Sequence, residues 1–307
     1  MGHHYLRYDL YVTDPVRPAR PARSESREVV ELRGLRESHP ELADAIDMQI
    51  AVLELHRRVQ GRVPLPFFEL SEDLLRRHAA SGQPLLRFED IRIEPSDLRL
   101  LVRQIADVMR RHGALDDSDY QRIQTVARDM NLDVAGQWYG RGAHRQAVAA
   151  IGSMSRHEPS ASDEESGDDA LDQVMNLAMR PWMTRCADVL QQRPELALWT
   201  HTHCALCGAE PDLALITPAA ERHLICSRCG LRWKFEPLTC PYCRNSDRSR
   251  ITSFATPDGQ YRVYACDACH RYLKAYDGRH ATRPVMPMVD SIATLPLDAY
   301  AMQRGYS

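Results

Sequence analysis

Apolar residues recur at intervals of three and four positions through most of residues 29–199. This spacing places them on one face of an α-helix. Clear examples begin after Ser38 and Ser71, each of which is positioned as a helix N-cap, and at Ser96, and Gly82 ends the second of them. The pattern predicts five to seven helices packed as one all-α domain.

The pattern changes after residue 200, where short apolar and alternating stretches are separated by turn signals. Such stretches are typical of β-strands. We predict five strands, over residues 213–217, 222–225, 231–235, 250–255 and 261–265. They would form two small β modules, the first over residues 200–238 and the second over residues 239–307 with the C-terminal tail.

Two segments lack the apolar residues needed for a core. Residues 12–28 are rich in proline and arginine and predict a mobile leader over residues 1–28. Residues 157–169 are acidic and predict a mobile loop. A helical pattern also covers residues 138–154. Pro181 should kink or divide the helix that follows the acidic loop.

Cysteine spacing supplies the strongest chemical signal. Eight of the nine cysteines form four CxxC pairs, with 18, 10 and 22 residues between successive pairs. This spacing is typical of metal sites with four thiolate ligands. The eight candidate ligands are Cys204, Cys207, Cys226, Cys229, Cys240, Cys243, Cys266 and Cys269.

Sequential pairing is the simplest arrangement, with the first four cysteines around one ion and the last four around another. A cross-braced arrangement is the alternative, but the ten-residue link between the second and third pairs fits two consecutive units better. Gly208 and Gly230 follow the second cysteine of their pairs and can turn a backbone N–H toward a thiolate, whereas Arg244 and His270 stand at those places in the second unit. Four thiolate sulfurs can bind zinc or a single iron ion. The ion would either stabilise a small domain or, if it is iron, carry electrons.

Other candidate residues fit structural roles better. Cys186 lies in an apolar helical stretch and is predicted to be a small buried residue. His201 and His203 precede Cys204 but would be surplus to a filled tetrahedral site, so packing is the expected role. The sequence has no phosphate-cradling glycine-rich loop, HExxH helix or GxSxG elbow. We therefore expect a binding protein without a catalytic or cofactor-binding site, and not an enzyme.

Charge and hydropathy give no sign of nucleic acid or membrane as a partner. The net charge is −3, and the part from Cys204 onward holds 13 Lys and Arg against 10 Asp and Glu. A dedicated nucleic-acid binder shows a denser basic stripe. No stretch approaches the length of a membrane span, and the first residues lack the apolar region of a secretory signal. These features predict a soluble, cytoplasmic protein.

The four CxxC pairs and the C-terminal tail together resemble the FdhE family of formate dehydrogenase accessory proteins. The resemblance covers about the last hundred residues: Cys204-Ala-Leu-Cys207-Gly-Ala-Glu-Pro211, Cys226-Ser-Arg-Cys229 with Trp233, Cys240-Pro-Tyr-Cys243, Cys266-Asp-Ala-Cys269 with Tyr272-Leu273-Lys274, and the tail from Val289-Asp290 through Leu297-Asp298 to Gly305-Tyr306. It implies an α+β multidomain fold, with an all-helical N-terminal domain followed by two tandem rubredoxin-like or zinc-ribbon modules.

The resemblance also implies a function. Members of that family are cytoplasmic maturation factors that bind the catalytic subunit of respiratory formate dehydrogenase and hold iron through their CxxC cysteines. Two mononuclear iron sites would then be present, with zinc as the alternative metal. Residues 199–204 and 271–276 are candidates for the partner surface. A zinc-ribbon module for nucleic acid or a transcription complex, and a rubredoxin-like electron-transfer component, are the alternative functions.

Overall fold

The structure is a computed structural model, and it describes residues 25–66, 70–140, 165–279 and 281–307. The side chains of residues 165–168 are not described. Most of the predicted leader, the acidic stretch 157–164 and the helical pattern beyond residue 140 lie outside these ranges. Within them, no helix is both long enough and apolar enough to cross a membrane.

Seven helices form the N-terminal part of the described chain, in agreement with the predicted all-α domain. They are α1 (Arg27–Ser38), α2 (Ala43–Gln60), α3 (Glu72–Ser81), α4 (Pro95–Arg111), α5 (Asp117–Asp129), α6 (residues 132–140) and α7 (Glu165–Gln191). Helices α2, α4, α5 and α7 pack together around buried residues such as Val52, Leu101, Ile123 and Met179.

Local side chains explain where some of these helices begin and end. The Ser71 hydroxyl caps α3 by accepting from the Leu74 N–H at 3.3 Å, and Gly82 ends the helix with φ of 71°, both as predicted. Ser38 is not the cap of the next helix. It is the last residue of α1, and its hydroxyl donates to the Gly34 and Leu35 carbonyls.

Three boundaries differ from the sequence prediction. Helix α1 begins at Arg27, with Ser26 as its cap, so it includes the end of the predicted leader. Helix α7 begins at Glu165, so residues 165–169 are helical and not part of a loop. Pro181 lies inside α7 without dividing it, and the Leu177 carbonyl, to which residue 181 would otherwise donate, accepts from His56 Nε2 at 2.8 Å.

The C-terminal part is built on one sheet of six strands. The strands are β1 (Pro211–Ile216), β2 (Arg222–Cys226), β3 (Arg232–Phe235), β4 (Ile251–Ala255), β5 (Tyr261–Cys266) and β6 (Arg271–Asp277), in the order β3-β2-β1-β6-β5-β4. All neighbouring pairs are antiparallel except β1 and β6, which are parallel. Each module contributes three strands, and the β1–β6 pair joins them edge to edge.

Strand β6 and its parallel pairing were not predicted from the sequence. In the register, Leu213 lies beside Lys274 and Ile216 beside Asp277. The two cysteine modules are therefore halves of one sheet, although each keeps its own hairpin.

The helical part and the first module share a hydrophobic core. Buried residues of α4 and α7 belong to the same cluster as Leu206, Leu224 and Trp233 of the sheet region. The extended chain before α4 also pairs with the first cysteine turn, because the Leu85 and Leu86 N–H groups donate to the carbonyls of Ala205 and Leu206. The first module is thus packed firmly on the helices.

Two short helices, α8 (Pro287–Ala293) and α9 (Leu295–Gln303), bring the tail back over the molecule. Helix α8 packs on α1, where Met286, Val289 and Ile292 join a cluster with Val29 and Leu32. The tail therefore links the first helix of the described chain to the sheet.

A buried carboxylate holds this tail in place. Asp290 is fully buried, and its Oδ1 accepts from the Tyr261 hydroxyl at 2.8 Å and from Arg283 Nη2 at 2.6 Å. Its Oδ2 accepts from the Met286 N–H at 2.6 Å. On α9, Asp298 accepts from the Tyr272 hydroxyl at 2.8 Å and from Lys274 Nζ at 2.7 Å. One aspartate on each tail helix therefore ties that helix to the sheet.

We predict that Asp290→Asn lowers the free energy of unfolding by about 2 kcal/mol, because it removes the nearer of the two carboxylates that pair with the buried Arg283 guanidinium and leaves only Glu31, at 3.4 Å. Urea denaturation measures the loss. The control is Asp129→Asn, at an exposed position at the end of α5, which should change stability by no more than about 0.5 kcal/mol. Equal losses in the two variants would contradict the assigned role of Asp290.

Candidate metal centres

The first candidate centre consists of Cys204, Cys207, Cys226 and Cys229, and all four are buried. The Sγ atoms of Cys204 and Cys229 are 3.5 Å apart, those of Cys207 and Cys226 are 3.4 Å apart, and those of Cys207 and Cys229 are 3.8 Å apart. The first pair lies in the loop that precedes β1; in the second pair, Cys226 ends β2 and Cys229 lies in the turn between β2 and β3. One hairpin therefore brings the two pairs together.

The second candidate centre consists of Cys240, Cys243, Cys266 and Cys269. The Sγ atoms of Cys240 and Cys269 are 3.7 Å apart, as are those of Cys243 and Cys266. Cys240 and Cys266 are buried, whereas Cys243 and Cys269 are half-buried. The cysteines are thus grouped sequentially, without cross-bracing, and the second group is nearer to solvent than the first.

The geometry of both groups fits a tetrahedral ion. A metal bonded to four sulfurs at ~2.3 Å separates those sulfurs by ~3.8 Å, and the observed separations run from 3.4 to 3.8 Å. Each group could hold one zinc or one iron, since both metals accept four thiolates. Four cysteines fill the tetrahedron, so these residues hold the ion in a closed site, without a position for a substrate.

All four CxxC turns have the same backbone form. The residue after the second cysteine has positive φ in each: 75° at Gly208, 74° at Gly230, 60° at Arg244 and 56° at His270. Its N–H donates to the carbonyl of the first cysteine of its pair, over 2.8–3.1 Å. These N–H groups therefore close the turn. In the first centre it is the Cys229 N–H that donates to a sulfur, Cys226 Sγ, at 3.5 Å.

The turns of the second centre carry backbone strain, because Arg244 and His270 have positive φ, a conformation that favours glycine. A left-handed conformation costs ~1–2 kcal/mol at such residues. The sequence difference at Arg244 and His270 thus changes the energy of the turn but leaves its geometry intact.

The thiols within each group differ in the direction in which their pKa values are shifted. Burial raises the pKa of Cys204 and Cys229, whereas in Cys226 hydrogen bonds from the neighbouring thiols outweigh burial and lower the pKa. In the second group, hydrogen bonding from Cys269 lowers the pKa of Cys240 to about 5. A thiolate that accepts hydrogen bonds from neighbouring thiols is a place where a metal cation can bind in exchange for the thiol protons.

Residues next to the first centre pack rather than bind metal. His201 Nε2 donates to the Ala79 carbonyl and His203 Nε2 to the Gly82 carbonyl, both at 2.8 Å. Trp233 Nε1 donates to the His201 carbonyl at 3.0 Å. The two histidines therefore anchor the metal region to the end of α3, as the packing prediction had it. Cys186 is buried, also as predicted, and burial raises its pKa to about 12.

An ion pair joins the two centres, and sequence reasoning missed it. Glu210 lies three residues after Cys207, and Arg271 lies two residues after Cys269. The Arg271 guanidinium donates to both carboxylate oxygens of Glu210, at 3.0 and 2.7 Å, and stacks on the Tyr242 ring, 3.6 Å from its centroid. This paired geometry is the strong form of an arginine–carboxylate contact. It clamps the modules together beside their cysteines.

The two stretches predicted as a partner surface are partly buried. Trp199 and Cys204 are buried in the first stretch, and Tyr276 is buried in the second. Tyr272 and Lys274 contact Asp298 of α9. Both stretches therefore contribute to the fold, while Thr200 is exposed and residues 201–203, 271, 272 and 274 are half-buried, and their role in binding a partner stays a prediction.

Comparison with protein-family models and with curated protein sequences finds no match. Comparison with solved structures finds the crystal structure of the FdhE protein from Pseudomonas aeruginosa, with a TM-score of 0.57. The match covers 91% of this chain and 91% of that one, at 19% sequence identity. The chain has an FdhE-like fold. The expected order, helices first and then a sheet region with two cysteine clusters, is confirmed.

We predict that Gly208→Ala destabilises the protein more than Gly259→Ala. Both glycines have φ above 70°, but a Cβ at Gly208 would lie 2.8 Å from Cγ of Pro84, whereas a Cβ at Gly259 meets nothing within 4 Å. Backbone strain should cost each variant about 1 kcal/mol, and overpacking should cost Gly208→Ala about 1–3 kcal/mol more. Urea denaturation of zinc-loaded protein tests this, and equal stabilities would count against the close contact.

Metal release should occur in two phases when zinc-loaded protein meets a coloured chelator. The second centre should empty first, because Cys243 and Cys269 are half-buried while the ligands of the first centre are buried. A Cys243→Ser, Cys269→Ser double variant should lose the fast phase, and a Cys204→Ser, Cys229→Ser variant should lose the slow one. A single phase of release in the wild type would refute the difference.

Proposed function

We propose that this chain is an accessory protein for the maturation of respiratory formate dehydrogenase, and that it binds the catalytic subunit of that enzyme. The FdhE-like fold over 91% of both chains carries the proposal. The CxxC pairs and the tail that resemble the FdhE family support it, because the tail aspartates Asp290 and Asp298 hold that fold together.

A binding role suits the metal centres better than catalysis. Each centre offers four cysteines to one ion, whereas a catalytic zinc keeps a position open for water or substrate. We therefore propose that the chain is not an enzyme. It would act in the cytoplasm, where the catalytic subunit is assembled.

Iron is the metal we propose for both centres. Iron would supply one-electron chemistry when bound, and zinc would supply structure alone. The half-buried sulfurs of Cys243 and Cys269 place the second centre where a docked partner can approach it. Burial keeps the first centre away from such contact, so a redox role would fall to the second.

The test is a deletion of the gene in its own host, followed by complementation. Formate-dependent dye reduction in membranes should fall on deletion and return with the wild-type gene. Protein purified without oxygen should contain iron at both centres, and the tagged chain should retain the catalytic subunit of formate dehydrogenase.

Variants sharpen this test. Cys240→Ser with Cys269→Ser should lose one metal and the complementing activity. Cys186→Ala is the matched control, because Cys186 lies outside both groups, and it should keep both properties. Unchanged formate dehydrogenase activity in the deletion strain would overturn the proposal. Salt-dependent binding of RNA or DNA, or turnover with a rubredoxin reductase, would instead favour one of the two alternative functions.

A further inference from the structure

A polar cleft of about 670 Å³ lies beside the first metal centre. Helices α2 and α7 contribute residues to one part of its lining, strands β1, β2 and β3 contribute to another, and the start of α8 completes it. Cys229 and Gly230 of the cysteine turn also line it. Its size is within the range of sites that bind small organic molecules.

Arginines dominate the charged lining of this cleft. Arg57, Arg180 and Arg232 all face it. Arg180 is held in place, because its Nη1 donates to the Ser227 carbonyl at 2.9 Å. His56 adds no charge near neutral pH, since burial lowers its pKa to about 4 and its Nε2 donates to the Leu177 carbonyl.

Arg232 is the cation with no counter-charge of its own. Its backbone is fixed, because its N–H donates to Gln191 Oε1 at 2.9 Å and its carbonyl accepts from Gln191 Nε2 at 3.2 Å. Within the described part of the chain, its guanidinium has neither an ion pair nor a hydrogen bond. It is half-buried, and that burial lowers its pKa.

Two carboxylates, Glu28 and Asp188, also line the cleft, but neither is among the groups that act on Arg232. Glu28 lies near Arg57 and Arg180, and the exposed Asp188 lies near Arg185. Asp290 is the one carboxylate that acts on Arg232, and it is already bound to Arg283. A half-buried guanidinium without a partner is costly, so an anion in the cleft would be stabilised there.

Apolar side chains complete the lining and indicate what the anion is attached to. Leu53, Leu215, Pro287 and Met288 contribute carbon surface to the same cleft. A ligand that fits this lining has an anionic group at one end and an apolar body.

We propose that this cleft binds an organic anion, a carboxylate or phosphate attached to an apolar body, with Arg232 holding the anionic group. Arginine suits this role because its planar guanidinium donates two parallel hydrogen bonds to carboxylate or phosphate oxygens.

Calorimetric titration of the full-length, metal-loaded protein tests the proposal with three probes: hexanoate, hexyl phosphate and hexanol. At least one of the two anions should bind, and hexanol should not. Comparing the affinities of hexanoate and hexyl phosphate shows whether the cleft prefers a carboxylate or a phosphate. Adding a short peptide in free-acid and amidated forms distinguishes a protein C-terminus from a small molecule as the source of the carboxylate.

Variants locate the binding. Arg232→Gln should weaken anion binding by about tenfold or more, because it removes a charge-assisted hydrogen bond, and Arg232→Lys should restore part of it. Arg99→Gln is the matched control, because Arg99 is also half-buried and donates to a backbone carbonyl, that of Met130, outside the cleft. Unchanged metal content and circular dichroism confirm that each variant folds. Failure of both anions to bind, or equal binding by Arg232→Gln and wild type, would overturn the proposal.

Discussion

The convergence of four sulfurs on one point is the constraint on which the C-terminal half depends. Each CxxC turn must aim two sulfurs the same way, and it does so by closing an N–H to carbonyl bond with the following residue at positive φ. The second and fourth of these turns join the strands of a hairpin, β2 to β3 and β5 to β6, so each centre has a hairpin beside it.

The two centres form one unit because their hairpins share a sheet. Parallel pairing of β1 with β6 sets the centres side by side, and the Glu210–Arg271 pair locks the loops that carry them. The first centre is sealed by the helical core, whereas the second keeps two ligands half-exposed. This asymmetry gives the centres different access to solvent and to a partner, although their ligand sets are identical.

The C-terminal tail, α8 and α9, contains no cysteine but is bound to the second cysteine module. Asp290 and Asp298 contact Tyr261, Tyr272 and Lys274, all from strands of the second module. Helix α8 meanwhile covers α1. The tail thus closes the molecule across both parts, and the cleft with Arg232 lies where helices, sheet and tail meet.

The sequence by itself determined the two ligand sets, their sequential grouping, the helical nature of the N-terminal part and five of the six strands, because spacing and periodicity are local properties of the chain. Tertiary structure decided the parallel β1–β6 pair, the Glu210–Arg271 contact and the Arg232 cleft. Each of these joins residues far apart in the sequence, and no local pattern specifies which distant strand or charge will become a neighbour. The same reason applies to Pro181, since local preference predicts a break in α7, whereas the Leu177 carbonyl that Pro181 cannot donate to accepts from the distant His56.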